Sequence, residues 1–118
     1  HLCDRRQRQM CIRDSMGTTG AKILEVDWML DIKEARSLVP ADTVLMGNID
    51  PCFPLVIGSP AEVDEAVKNL VNATKGRGHI ISSGCAMGRN TPPENFKAFI
   101  AAARRYGAYE EIMRLQNL

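Results

Sequence analysis

The chain is predicted to be an α/β protein, because three times along it a short apolar stretch ends in a polar or acidic residue and runs into an amphipathic helix with a readable start. Strand and helix in alternation imply parallel pairing through right-handed crossovers. The third stretch, Ile80-Ile81-Ser82-Ser83-Gly84-Cys85, ends in a thiol just ahead of the helix start Thr91-Pro92-Pro93-Glu94. A reactive side chain at the C-terminal end of a strand is how α/β enzymes build their sites, so Cys85 is the first candidate for chemistry.

The first unit opens with Ala21 to Trp28, a β-rich run that stops at an acid and an aromatic. Its helix begins near Asp31 with Glu34 three residues on, the spacing of a capping box, and Ile32, Ala35 and Leu38 or Val39 form the inner stripe. Pro40 closes it. The second strand, Thr43 to Asp50, runs into Pro51, which has no N–H for a ladder. After a loop, Ser59-Pro60-Ala61-Glu62 combines a capping serine, a proline at the first helical position and a reciprocating glutamate. Val63, Ala66, Val67, Leu70 and Val71 then recur at helical spacing, and Gly76 and Gly78 end the helix. The third strand, His79 to Cys85, reads as buried on both faces. The helix after it is expected to be capped by Thr91 and Glu94, with Phe96, Phe99, Ile100 and Ala103 inward and Gly107 at its end. A short polar helix finishes the chain.

Composition narrows the class. With 118 residues, 45% of them hydrophobic and 25% charged, the chain buries one modest core, a domain or part of one. A formal charge of +1 gives no electrostatic reason for nucleic acid or an anionic membrane as partner, and no apolar run nears the roughly 20 residues of a membrane span. The expectation is a cytoplasmic protein whose cysteines at positions 3, 11, 52 and 85 are reduced thiols. Residues 1–15 stand apart from 16–118, holding four of the ten arginines, no lysine and no periodicity. They read as a basic arm, a disordered native tail or, the favoured option, translated adaptor sequence to be kept out of fold reasoning.

Two architectures fit the three units. A doubly wound sheet could be complete in this length, but no glycine-rich phosphate loop follows the first strand. A (β/α)8 barrel needs about 250 residues, so 16–118 would hold its last three or so units, incomplete, with open edges that make the polypeptide alone marginal or prone to aggregate.

Val26-Asp27-Trp28, Gly47-Asn48-Ile49-Asp50-Pro51, Gly58-Ser59-Pro60-Ala61-Glu62-Val63, Ser83-Gly84-Cys85 and Asn90-Thr91-Pro92-Pro93-Glu94-Asn95 occur in the order and spacing of the uroporphyrinogen decarboxylase-like superfamily. The resemblance covers about residues 16–108 and implies the C-terminal third of that superfamily's barrel. Two chemistries come with it. Its decarboxylases form coproporphyrinogen without a cofactor, and the residue after the last strand's glycine is typically a histidine that meets a substrate carboxylate; here that residue is Cys85. In the corrinoid-dependent methyltransferase branch the position supplies a cysteine to a zinc site, completed by a His-x-Cys pair from an earlier strand, and the metal holds a thiol substrate as thiolate. His1-Leu2-Cys3 has that form. It is either the ligand pair followed by foreign sequence or chance.

The resemblance therefore implies a zinc-dependent methyl transfer from a corrinoid to a thiol, with Cys85, His1 and Cys3 on the metal and a corrinoid protein as partner, or else porphyrinogen decarboxylation. A non-catalytic α/β binding module is the third option. Asp27, Asn48 and Asp50 are the catalytic candidates at strand ends, against a plain role for Asp27 and Asp50 in capping their own turns. Cys85 read plainly is a small buried hydrophobe, Trp28 is packing, Cys52 packs in its loop, and Arg89 is a solvated charge. His79 lies at the strand end opposite Cys85, away from any barrel site.

Overall fold

A computed structural model describes residues 19–117. Three strands, β1 (Ile23–Glu25), β2 (Val44–Ile49) and β3 (His79–Ser83), form one parallel sheet in the order β1-β2-β3. Between and after them run α1 (Ile32–Leu38), α2 (Pro60–Thr74), α3 (Pro93–Tyr106) and α4 (Tyr109–Gln116). The α/β class and the parallel pairing are as the alternation predicts.

β1 is shorter than its eight-residue β-rich run. Backbone bonds from Val44 N to Lys22 O and from Val26 N to Met46 O, both 2.8 Å, carry the ladder one residue beyond each end, after which Leu30 N turns back onto Asp27 O. Alternation along the strands sorts the sheet into two unlike faces. Leu24, Leu45 and Ile49 are buried on one, under the helices, while Ile23, Glu25, Met46, Ile80 and Ser82 look out from the other, half-exposed or exposed. β3 is accordingly not buried on both faces as its apolar run suggests. Ile80 is 42% exposed because no layer among the described residues covers its side of the sheet.

α2 is the central element of the helical layer. Ser59 Oγ accepts from Glu62 N at 3.2 Å and Glu62 Oε1 accepts from Ser59 N at 3.0 Å, completing the capping box, and Pro60 opens the helix. Val63, Val67, Leu70 and Val71 are buried, as the spacing predicts. Lys75, in the left-handed region at φ 52°, ends the helix, followed by Gly76 at φ 68°. In α1 the carboxylate of Asp31 caps Lys33 N at 2.8 Å, and Ile32 and Ala35 point inward. At the far end Arg36 reaches Pro40 O at 2.5 Å and Gly78 O at 3.3 Å, joining α1 to the turn before β3.

α3 differs from expectation at its start. Pro92 is the N-cap and makes no side-chain bond; Thr91 Oγ1 instead donates to Gly88 O at 2.7 Å within its own loop. The inward stripe is Asn95, Phe99 and Ala102, with Ile100 and Ala103 at its margin, and Phe96 is 48% exposed. Asn95 takes the inner place because its amide is needed there, as described below. Arg105 pairs with Asp64 Oδ1 at 2.8 Å, and the Tyr106 hydroxyl donates to Asp64 Oδ2 at 2.7 Å, which holds the phenol above its usual range. The short polar helix expected at the end is α4. No helix among the described residues is long and apolar enough to cross a membrane.

Candidate functional site

The C-terminal ends of the three strands meet at one rim, and their contacts follow from small residues that let backbones approach. Gly84 N donates to Ile49 O at 2.7 Å, which seats the β3 loop on the end of β2. A Cβ on Gly84 would fall 2.3 Å from Trp28 N, so the loops after β1 and β3 touch across β2 only because residue 84 has no side chain. Asp27-Trp28, Ile49-Asp50 and Gly84-Cys85 are thereby gathered at one mouth.

Within that mouth the polar candidates divide by what they hold. Asp27 Oδ1 accepts from Met29 N at 2.9 Å and Asp50 Oδ1 accepts from Cys52 N at 2.8 Å, two Asx turns that fix each carboxylate against its own loop. The turn-capping role weighed for both is therefore present. Asn48 stands in the last turn of the ladder and sends its amide across to Asp27 O at 3.1 Å and to Leu30 O. It ties the β1 loop to β2, so Asn48 and Asp27 are brought together while Asp50 looks out from the next loop. Gly47, just before it, is at φ 147° and its peptide with Asn48 is cis. A Cβ there would lie 2.6 Å from Val26 O, which reserves the position for glycine.

Cys85 is exposed at the end of β3, not a buried hydrophobe, and Ser83 Oγ donates to its carbonyl at 2.5 Å. Trp28, at 42% exposure, lies against Gly84 at the rim. Cys52 also differs from expectation: its carbonyl accepts Val56 N at 2.9 Å and Ile57 N at 3.0 Å, so the backbone closes the turn and leaves the side chain exposed. Arg89 is exposed in the final loop, as read. His1 and Cys3, and with them the reading of residues 1–15, lie outside the described residues. Among the described residues no three His, Cys, Asp or Glu side chains are grouped closely enough to hold a metal ion. Zinc needs three protein ligands, so Cys85 with its described neighbours does not fit it.

Asn95 is the site residue that reading the sequence missed. It is 1% exposed, and its Nδ2 donates to Leu55 O at 3.0 Å and Gly58 O at 2.9 Å, with Pro54 O at 3.5 Å. From α3 it pins the long loop that follows Asp50, while its Oδ1 finds no protein partner. The signal was its place on the Phe99 and Ala102 stripe: a buried amide at a core position is kept there by hydrogen bonds.

Residues 1–106 match the family model described as uroporphyrinogen decarboxylase (URO-D). The chain is similar to proteins named uroporphyrinogen decarboxylase from Parasynechococcus marenigrum (strain WH8102), 32% identical over 102 residues that cover 83% of this chain and 28% of the relative, and from Enterobacter sp. (strain 638), 34% identical over 96 residues that cover 80% and 27%. A third, from Idiomarina loihiensis, is 33% identical over 94 residues, 79% of this chain and 26% of the relative. The chain thus spans about a quarter of the length of the relatives it matches.

Proposed function

The chain belongs to the uroporphyrinogen decarboxylase family, and from that premise we propose that it forms the closing arc of a (β/α)8 barrel in an enzyme that decarboxylates the acetate side chains of a porphyrinogen. The observation that supports this reading is the similarity to several proteins named for that activity over about four-fifths of the chain. The open face of the sheet agrees with it: Ile23, Met46 and Ile80 lie where the inner wall of a barrel would fill with side chains.

The chemistry suits the residues at the mouth. When an acetate loses carbon dioxide its C–C bond breaks, the bonding pair passes into the ring, and a proton must then reach the methylene carbon to leave a methyl group. A protonated pyrrole accepts that pair most readily, and an ionised carboxylate held nearby stabilises the cation and accepts from pyrrole N–H groups. Asp50 and Asp27 are carboxylates of the mouth, each with its Oδ1 accepting from its own turn. Neither suits binding the substrate's acetate groups, since like charges repel. Arg89 is the exposed cation of the final loop that could meet one. No cofactor is required for this sequence of steps. In the whole-length protein that carries this segment, assayed with a porphyrinogen under reducing conditions, Asp50→Asn is expected to cut kcat by about a hundredfold. A rate equal to the parent's would remove Asp50 from the chemistry, and an inactive parent would reject the decarboxylase reading.

Methyl transfer from a corrinoid to a zinc-bound thiol is the second reading, favoured by one observation, the exposed Cys85 at the position where the family resemblance implies a histidine for the decarboxylases. It requires ligands beyond the described residues, with His1 and Cys3 as the pair at hand in the chain. Metal analysis decides it: one zinc per chain, lost in Cys85→Ser, supports methyl transfer, and metal-free protein rejects it.

A further inference from the structure

We propose that His79 is a positioning residue, whose ring fixes the Gly47–Asn48 peptide from below and so sets the amide of Asn48 that holds the Asp27–Leu30 turn. The proposal rests on reading Asp27 and Asn48 as part of the site. His79 opens β3 at the end far from Cys85, yet its Nε2 lies 2.6 Å from Gly47 O and its Nδ1 lies 3.2 Å from Thr74 Oγ1. A carbonyl only accepts, so Nε2 carries the proton, and Nδ1 accepts from the threonine hydroxyl. Thr74 is itself fixed, buried in the last turn of α2 and accepting from Gly76 N at 3.2 Å. The next residue after Gly47 is Asn48, whose amide bonds to Asp27 O and Leu30 O. One chain of contacts therefore runs from α2 through the ring to the mouth: Thr74, His79, Gly47, Asn48, Asp27.

The ring's surroundings keep it neutral. Beside it a cavity of about 210 Å³ is walled by Val71, Ile81, Ala103 and Ile112, none of which carries charge. Burial pushes the imidazole below its ordinary value, against the pull of Gly47 O. Apart from His79 itself, no residue that lines this cavity is ionisable; on the elements around it Arg36 bonds Gly78 O, Asp64 pairs with Arg105 and Glu111 pairs with Arg114. A proton added at Nδ1 would face an oxygen that must then turn its own hydrogen toward Leu70 O or Val71 O, 3.5 and 3.4 Å away.

The test is nuclear magnetic resonance on the isotope-labelled full chain. At about pH 7.5 the His79 ring is expected to carry its proton on Nε2, and acidifying to about pH 5.5 should move the Asn48 side-chain amide signals with the midpoint of the ring. His79→Gln, which places an N–H near the same point, should keep the neutral-pH Asn48 signals and abolish their movement. His79→Leu should speed exchange of the Asn48 amide protons by about two- to tenfold. A proton found on Nδ1, Asn48 signals that stay still while His79 titrates, or a His79→Gln chain that responds to pH like the parent would overturn the proposal. No substrate is involved, so failure here is separate from failure of the decarboxylase reading, which would leave all these signals unchanged.

Discussion

The two faces of the sheet are made from the same kinds of residue and meet opposite fates. Leu24, Leu45 and Ile49 disappear beneath α1 and α2, whereas Ile23 and Ile80, one residue out of phase with them, stay 50% and 42% exposed. Apolar character alone does not say which face is covered; only the helices do, and they lie on one side. The difference teaches that the helices cover one face alone and that nothing among the described residues covers the other, an arrangement compatible with part of a barrel.

Substitution on each face tests that contrast most strongly. Leu45→Ala, at 1% exposure, should cost about 2–5 kcal/mol in chemical denaturation. Ile80→Ser, on the other face, should cost less than about 1 kcal/mol and reduce self-association in light scattering, because it removes exposed apolar surface from a free sheet face. Equal losses at the two positions would mean the open face is covered in solution. Next in size is Gly84→Ala, whose methyl would meet the Trp28 backbone and push the β1 and β3 loops apart. A loss of about 1–3 kcal/mol with a shift in tryptophan emission is expected; unchanged emission would separate the two loops.

The pH response is smaller. Because folding lowers the His79 pKa below its ordinary 6.5, the neutral ring's contribution is present in full above that value and is lost as pH falls through the folded pKa. Denaturation midpoints should therefore hold steady from about pH 8 to about pH 7 and fall by about pH 5.5, with His79→Gln flattening the curve. A midpoint that rises on acidification would reverse the assignment. Smallest of all is Arg105→Ala: the pair with Asp64 is 61% exposed on the arginine side, so a change under about 0.5 kcal/mol is expected by the same denaturation measurement.

How far these features could be read in the sequence depends on the range of the force behind them. Ser59, Pro60 and Glu62 act within one helical turn, and α2 is found where they place it. The stripe Val63, Val67, Leu70 and Val71 is local in the same sense. α3 was harder to read because Phe96 and Asn95 compete for the inner position, and the winner depends on carbonyls some forty residues away at Leu55 and Gly58. The site shows the same division. Asp27 and Asp50 were legible as strand-end acids, and their Asx turns are two-residue contacts. The reach of His79 to Gly47 spans 32 residues and depends on where β2 and β3 come to lie, which no periodicity encodes.

Arg36 tethers the lower edge of the wall through Pro40 and Gly78, and Gly78 O in turn accepts Leu45 N at 2.8 Å. The bonds of Arg36 at the footing share no atom with those of Asn48 and Gly84 at the crown. Loops at the crown can be lengthened, shortened or rewritten for a new substrate without loosening the footing, and a protein engineer grafting specificity onto this scaffold would leave that arginine untouched.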